Sequence, residues 1–138
     1  MNFRIAIMVV SLLSMCVISP VSAEVDMKVG LWEVTTKWEM PGMPKGMEMS
    51  SVKFNQCITR ENNVPQSKGQ DKDCRITHSE VNGSTVMWEM ECTGEGRDMS
   101  GKGKVTYSGD TFTGGMTIET KEMNITQHLS GRRIGDCK

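Results

Sequence analysis

Val105-Thr106-Tyr107-Ser108-Gly109-Asp110-Thr111-Phe112 is the stretch from which the architecture is read most directly. Val105 and Tyr107 stand two apart before a glycine-centred turn, and Phe112 follows it. The segment therefore reads as a β-hairpin with one apolar face. Upstream, Cys74 to Cys92 repeats the theme around Asn82-Gly83. A two-residue turn there would put Val86 and Trp88 on a face with Ser79 and Thr77, and Ile76 opposite Glu89, which mixes the faces. A three-residue loop, Val81-Asn82-Gly83 with Gly83 left-handed, instead sets His78 against Val86, Ile76 against Trp88 and Cys74 against Met90. Arg75 then meets Glu89 on the other side, and this is the register expected. Trp32, Val34, Trp38 and Met40 alternate in the same way in a first strand.

Composition extends this reading to the whole chain. From Glu24 onward there is no alanine, and Leu31 and Leu129 are the only leucines, so the strongest helix formers are nearly missing. Threonine occurs 12 times there, in short alternating runs bounded by Gly, Asn, Asp and Ser. An all-β antiparallel meander follows, with strands expected near residues 28–40, 51–58, 73–80, 84–92, 103–108, 111–120 and 123–130. Thr59-Arg60-Glu61-Asn62 offers a cap and an early acid for one short helical turn. Strands with one greasy face must bury it, so a strongly curved sheet or small barrel is expected.

Residues 1–23 carry Arg4, an apolar run from Ile5 to Ile18, and the small-residue end Val21-Ser22-Ala23. That is the pattern of a secretory signal peptide, followed by a single domain over residues 24–138. The run is shorter than the ~20 residues a membrane span needs. Cys16, inside the run and behind the bulky Met15, does not suit lipid attachment. The remaining chain has 15 basic and 17 acidic side chains, hence a net charge of −2. No basic stripe points to nucleic acid.

Cys57, Cys74, Cys92 and Cys137 form an even set in a chain expected to be periplasmic or secreted, which reads as two disulfides. No pair has zinc-knuckle spacing. Cys57 with Cys74 and Cys92 with Cys137 is the favoured pairing, since the first bridge would tie down the hydrophilic stretch from Glu61 to Asp73. Cys74 with Cys92 is the alternative, because the expected register leaves both on the inner face and near each other.

Several segments together resemble a family of small exported bacterial proteins catalogued only as a domain of unknown function. They are Gly30-Leu31-Trp32-Glu33, Met40-Pro41-Gly42-Met43-Pro44, Gln56-Cys57-Ile58-Thr59, Trp88 with Cys92, Tyr107-Ser108-Gly109-Asp110-Thr111-Phe112, and Gly131-Arg132-Arg133-Ile134-Gly135-Asp136-Cys137. The resemblance implies a bacterial envelope location and carries no catalytic residue or cofactor.

Met40, Met43, Met47 and Met49 crowd one loop broken by Pro41, Gly42, Pro44 and Gly46. Soft thioethers select Cu(I) over harder ions, so copper or silver binding is one reading of this loop. A flexible apolar cover for the open end of the sheet is the simpler one. Residues Gly96 to Lys102 have the glycine and lysine spacing of a phosphate-binding loop, but Gly103 replaces its Ser or Thr and a strand follows. A bulged turn is expected there instead. His78 is expected as a hydrogen-bonded inner-face residue. Glu89 and Glu91, on one face, are expected to be solvated and balanced by Arg75, and Arg132 and Arg133 to be structural near Cys137.

The leading functional expectation is non-catalytic binding of a small or apolar ligand, or of an envelope partner, on the concave side of the sheet. Trp32, Trp38 and Trp88 either line or fill that side. Copper handling by the methionine loop comes second, and an enzyme third, since no nucleophile and base can be placed together. Mass analysis of the exported protein is expected to show a chain beginning at Glu24; any other start contradicts the assigned leader.

Overall fold

The computed structural model describes residues 24–44, 47, 51–66, 73–94 and 98–138, so the leader lies outside the described residues. Seven strands form one antiparallel sheet: β1 (Gly30–Glu39), β2 (Val52–Ile58), β3 (Cys74–Asn82), β4 (Thr85–Cys92), β5 (Met99–Ser108), β6 (Thr111–Glu119) and β7 (Asn124–Gly135). Their order is β2-β1-β7-β6-β5-β4-β3. The meander from β3 to β7 is thus continued by β1, which pairs along β7, while β2 and β3 become the two outer edges. The sheet curls into a half-barrel with these edges unpaired. No described helix is long and apolar enough to cross a membrane.

Alternation explains the curl. Inward positions carry Trp32 and Val34 on β1, Ile58 on β2, Val86 and Trp88 on β4, Val105 and Tyr107 on β5, Phe112 and Met116 on β6, and Leu129 on β7, all buried. The core is densest where β1 begins. Trp32, Tyr107 and Phe112 form a ring cluster with centroids 5.3 to 5.6 Å apart. Met27 and Val64 pack onto it from outside the strands. The segment before β1 is tied down by bonds between Lys28 N–H and Gly109 O at 2.9 Å and between Gly109 N–H and Asp26 O at 3.0 Å.

Glycine supplies the space that the rings need. A Cβ at Gly103 would overlap the Trp88 indole, and one at Gly131 would overlap the Phe112 ring. Each aromatic therefore lies flat across the glycine of the neighbouring strand instead of standing on the sheet. This corrects the bulged turn expected around Gly101 and Gly103. Both are regular β5 residues, paired without a register break to Met90 and Trp88. Residues 95–97 of the phosphate-loop-like stretch lie outside the described residues. For the same reason β7 runs past its expected end at 130, with Gly131 opposite Phe112 and Arg132 Nε donating to Glu33 Oε1 at 3.1 Å.

The second hairpin turns at Gly109-Asp110, Gly109 adopting φ +65°, as its apolar spacing implied. The first departs from expectation. Its turn is Gly83-Ser84, pairing Val81 with Val86 and Ser79 with Trp88, and a bulge at Thr77 then resets the register so that Ile76 meets Met90 and Cys74 meets Cys92. Gly83 is left-handed, φ +59°. Arg75 pairs with Glu91 at 3.4 Å, and Glu89 with Lys102 at 3.0 Å, on the solvated face. The bulge is the element that no single-register reading can produce. Beyond Cys74, β3 is an exposed edge, so His78 is solvent-facing, its Nε2 4.0 Å from Glu80.

The disulfides are Cys57–Cys137 and Cys74–Cys92, which overturns the favoured pairing and keeps the alternative half. Register decides it: Cys74 and Cys92 are direct cross-strand partners, with Cα atoms 4.0 Å apart. Cys57 is instead carried beside the end of β7 through β1. Spans of 80 and 18 residues correspond to about 4.5 and about 3 kcal/mol in the chain-entropy picture. No helix forms at Thr59. Its hydroxyl accepts from Asn62 N–H at 3.1 Å, closing a single turn before Pro65, whose predecessor is driven away from helical geometry.

Tyr107, the only tyrosine, donates its hydroxyl to Asn63 O at 2.6 Å, anchoring the β2–β3 connection onto the core. Burial pushes this phenol well above its ordinary value. The folded state therefore holds the proton more tightly than the unfolded one, so this contribution is intact below about pH 10 and is lost as pH rises beyond it. Phenolate absorbance is expected to appear only together with alkaline unfolding, and Tyr107→Phe to cost about 1–3 kcal/mol. A phenolate titrating normally in folded protein contradicts this.

Candidate functional site

The concave face is filled at one end and open at the other. Toward the Gly83 and Gly109 turns it is closed by Trp32, Tyr107 and Phe112; toward the far ends of the strands it holds a cavity of about 400 Å³. Val52 and Phe54 of β2 and Arg75 and Ile76 of β3 line this one space, so the two sheet edges face each other across its mouth. Trp38, Trp88, Met90, Met116, Gln127 and Leu129 make its floor. A second, mostly apolar pocket of about 230 Å³ adjoins it, sharing Trp38, Met90 and Met116 and adding Met99, Ile118 and Ile125.

The connection after β2 walls one side. Gln56, buried, donates Nε2 to Val64 O at 3.1 Å and accepts Gln66 N–H at 2.8 Å on Oε1, so both ends of its amide are used in holding Pro65 and Gln66 over the cavity. Thr36, also buried, donates to Val52 O at 3.3 Å across β1 and β2.

Gln127 differs. It is 4% exposed, stands between Trp38 and Met116 in the cross-strand rung, and lines the cavity. No hydrogen bond is made by its side-chain amide, yet no buried side-chain polar atom of the described residues is sealed without a partner. The amide is therefore reachable from the cavity. Buried amides are ordinarily satisfied, which makes a lone one in an apolar cleft a position for a polar group of something bound there.

The sequence-derived candidates separate on this geometry. Trp32 is fully buried core, hydrogen-bonded through Nε1 to Lys28 O at 3.1 Å, whereas Trp38 and Trp88 line the cavity. The tryptophans thus both fill and line the concave side. Met40 and Met43 share a turn closed by Met43 N–H on Met40 O at 3.4 Å, and Met47 is 63% exposed. None of these three lines either cavity, and Met49 lies outside the described residues. His128 sits 3.0 Å from Glu39 on the exposed side of β7. Arg133 donates to Val29 O at 3.0 Å and pairs with Asp136, a fastening beside Cys137. Sequence reasoning missed Gln127, whose only signal was its polarity at an inward position between Ile125 and Leu129.

Residues 27–137 match the family described as Protein of unknown function (DUF3617), and the chain belongs to that family. No curated protein and no solved structure gives a match.

Gly103→Ala is expected to force the Trp88 ring off β5, lowering stability by about 1–3 kcal/mol and moving the tryptophan emission. Unchanged melting and emission would contradict the flat packing of Trp88.

Proposed function

We propose that this protein is an extracytoplasmic binding protein that holds an apolar ligand bearing one hydrogen-bonding group in the concave cleft of its sheet. The observation that carries the reading is the free amide of Gln127 in a cleft otherwise floored by Trp38, Trp88, Met90, Met116 and Leu129. The volume is in the range of small-molecule sites, ~300–1,000 Å³. An apolar body against the indoles and thioethers would contribute roughly 25 cal/mol per Å² removed from water. The amide would fix its orientation.

Two disulfides suit an oxidising compartment, in agreement with the leader read at residues 1–23. Thioether, indole, amide, hydroxyl, one guanidinium and the Cys74 sulfur, tied up in its disulfide, make up the reactive inventory of the described lining, which favours binding over turnover. Native mass spectrometry of protein purified from a bacterial envelope is expected to reveal a retained apolar molecule, released on denaturation. Gln127→Leu should weaken a fatty-acid probe about tenfold, the loss of one hydrogen bond. An empty protein that also ignores the probe overturns the reading.

A further inference from the structure

We propose a site for a soft monovalent ion, Cu(I) or Ag(I), formed by the thioethers of Met90, Met99 and Met116 at the open end of the sheet. It is distinct from the loop at residues 40–49 and does not depend on the ligand reading above.

The geometry centres on Gly101. Where its Cβ would stand, the nearest atoms are Met90 Cγ at 3.0 Å, Met90 Sδ at 3.4 Å and Met116 Sδ at 3.5 Å. Two sulfurs from strands on either side of β5 thus converge over one missing side chain. They lie no farther apart than the sum of their distances to that point, 6.9 Å. Met99 precedes Gly101 by two residues on the same strand, hence on the same face, and lines the same pocket of about 230 Å³.

The donor set dictates the ion. Around the three thioethers the pocket offers Trp38, Ile118, Ile125, Ser100 and the Cys74–Cys92 disulfide. No cluster of three His, Cys, Asp or Glu capable of holding a metal occurs among the described residues. A hard or borderline divalent ion would lose its water there and gain no charged oxygen or imidazole. Thioethers select Cu(I), and its chemical analogue Ag(I). Methionine's unbranched chain lets each sulfur swing onto a shared ion with small rotations. The indole of Trp38 adds a π-face to the wall. Thioethers need no deprotonation, so affinity should be flat from about pH 5 to 7, unlike a histidine or thiolate site.

The test is an anaerobic Cu(I) titration of the disulfide-intact protein against a chromophoric chelator. Stoichiometric binding is expected in the wild type. Met90→Leu with Met116→Leu should weaken it by at least about tenfold, since even outer-shell changes at metal sites cost that much. Met40→Leu with Met43→Leu and Met47→Leu should leave it unchanged. Met99→Leu, which lies in the smaller pocket and not in the cleft, should weaken Cu(I) binding and retain fatty-acid binding, which separates this site from the cleft reading. X-ray absorption of copper-loaded wild type should show sulfur alone in the first shell, a readout that needs no variant. Absence of binding, loss only in the loop variant, or nitrogen or oxygen in the shell overturns the proposal.

Discussion

Trp88 lies across Gly103, and Phe112 across Gly131, and the curvature of the whole sheet depends on those contacts. A side chain standing upright on a strand needs a second layer to cover it. A ring laid flat over the neighbouring glycine covers both itself and that strand's backbone, so a single sheet buries its own face by bending. This is how a domain with two leucines and no alanine after residue 23 makes a core without helices. The chain ends reinforce the bend, because β1 pairs along β7 and the Cys57–Cys137 bridge fastens the seam.

Bending one sheet leaves its ends unequal. Where β1, β5 and β6 bring Trp32, Tyr107 and Phe112 together, large rings meet and no space remains. Six rungs further the inward residues are Gly101, Met90, Ile118 and Ile125, and smaller or more flexible groups cannot close the same width. The cleft is the geometrical remainder of a core too poor in bulk to fill the half-barrel. Its chemistry is unusual in two ways: an amide at Gln127 that is open to the cleft and makes no side-chain hydrogen bond, and sulfur in place of branched aliphatic carbon.

Alternation made the fold legible. Val105, Tyr107 and Phe112 revealed one hairpin, and the missing helix formers excluded the competing class. What stayed hidden was non-local or sterically conditional. Pairing of β1 with β7 depends on which strands neighbour each other after the sheet curls, and with it goes the Cys57–Cys137 bridge. The bulge at Thr77 changes register within one strand, so a reading that holds a single offset from turn to end must misplace either His78 or Cys74. Glycines at 101, 103 and 131 resemble breakers by type, and only their cross-strand partners show them to be seats for larger side chains. Gln127 was invisible because a lone polar residue in a strand says nothing of whether its amide is used.

The open-ended cleft is tested most directly by its three tryptophans, one in the packed end and two in the cavity wall. Fluorine NMR of protein labelled with fluorotryptophan, titrated with a nitroxide-bearing fatty acid, should broaden the Trp38 and Trp88 resonances and leave that of Trp32 sharp. Equal broadening of all three, or of none, would contradict a ligand cleft on the concave face.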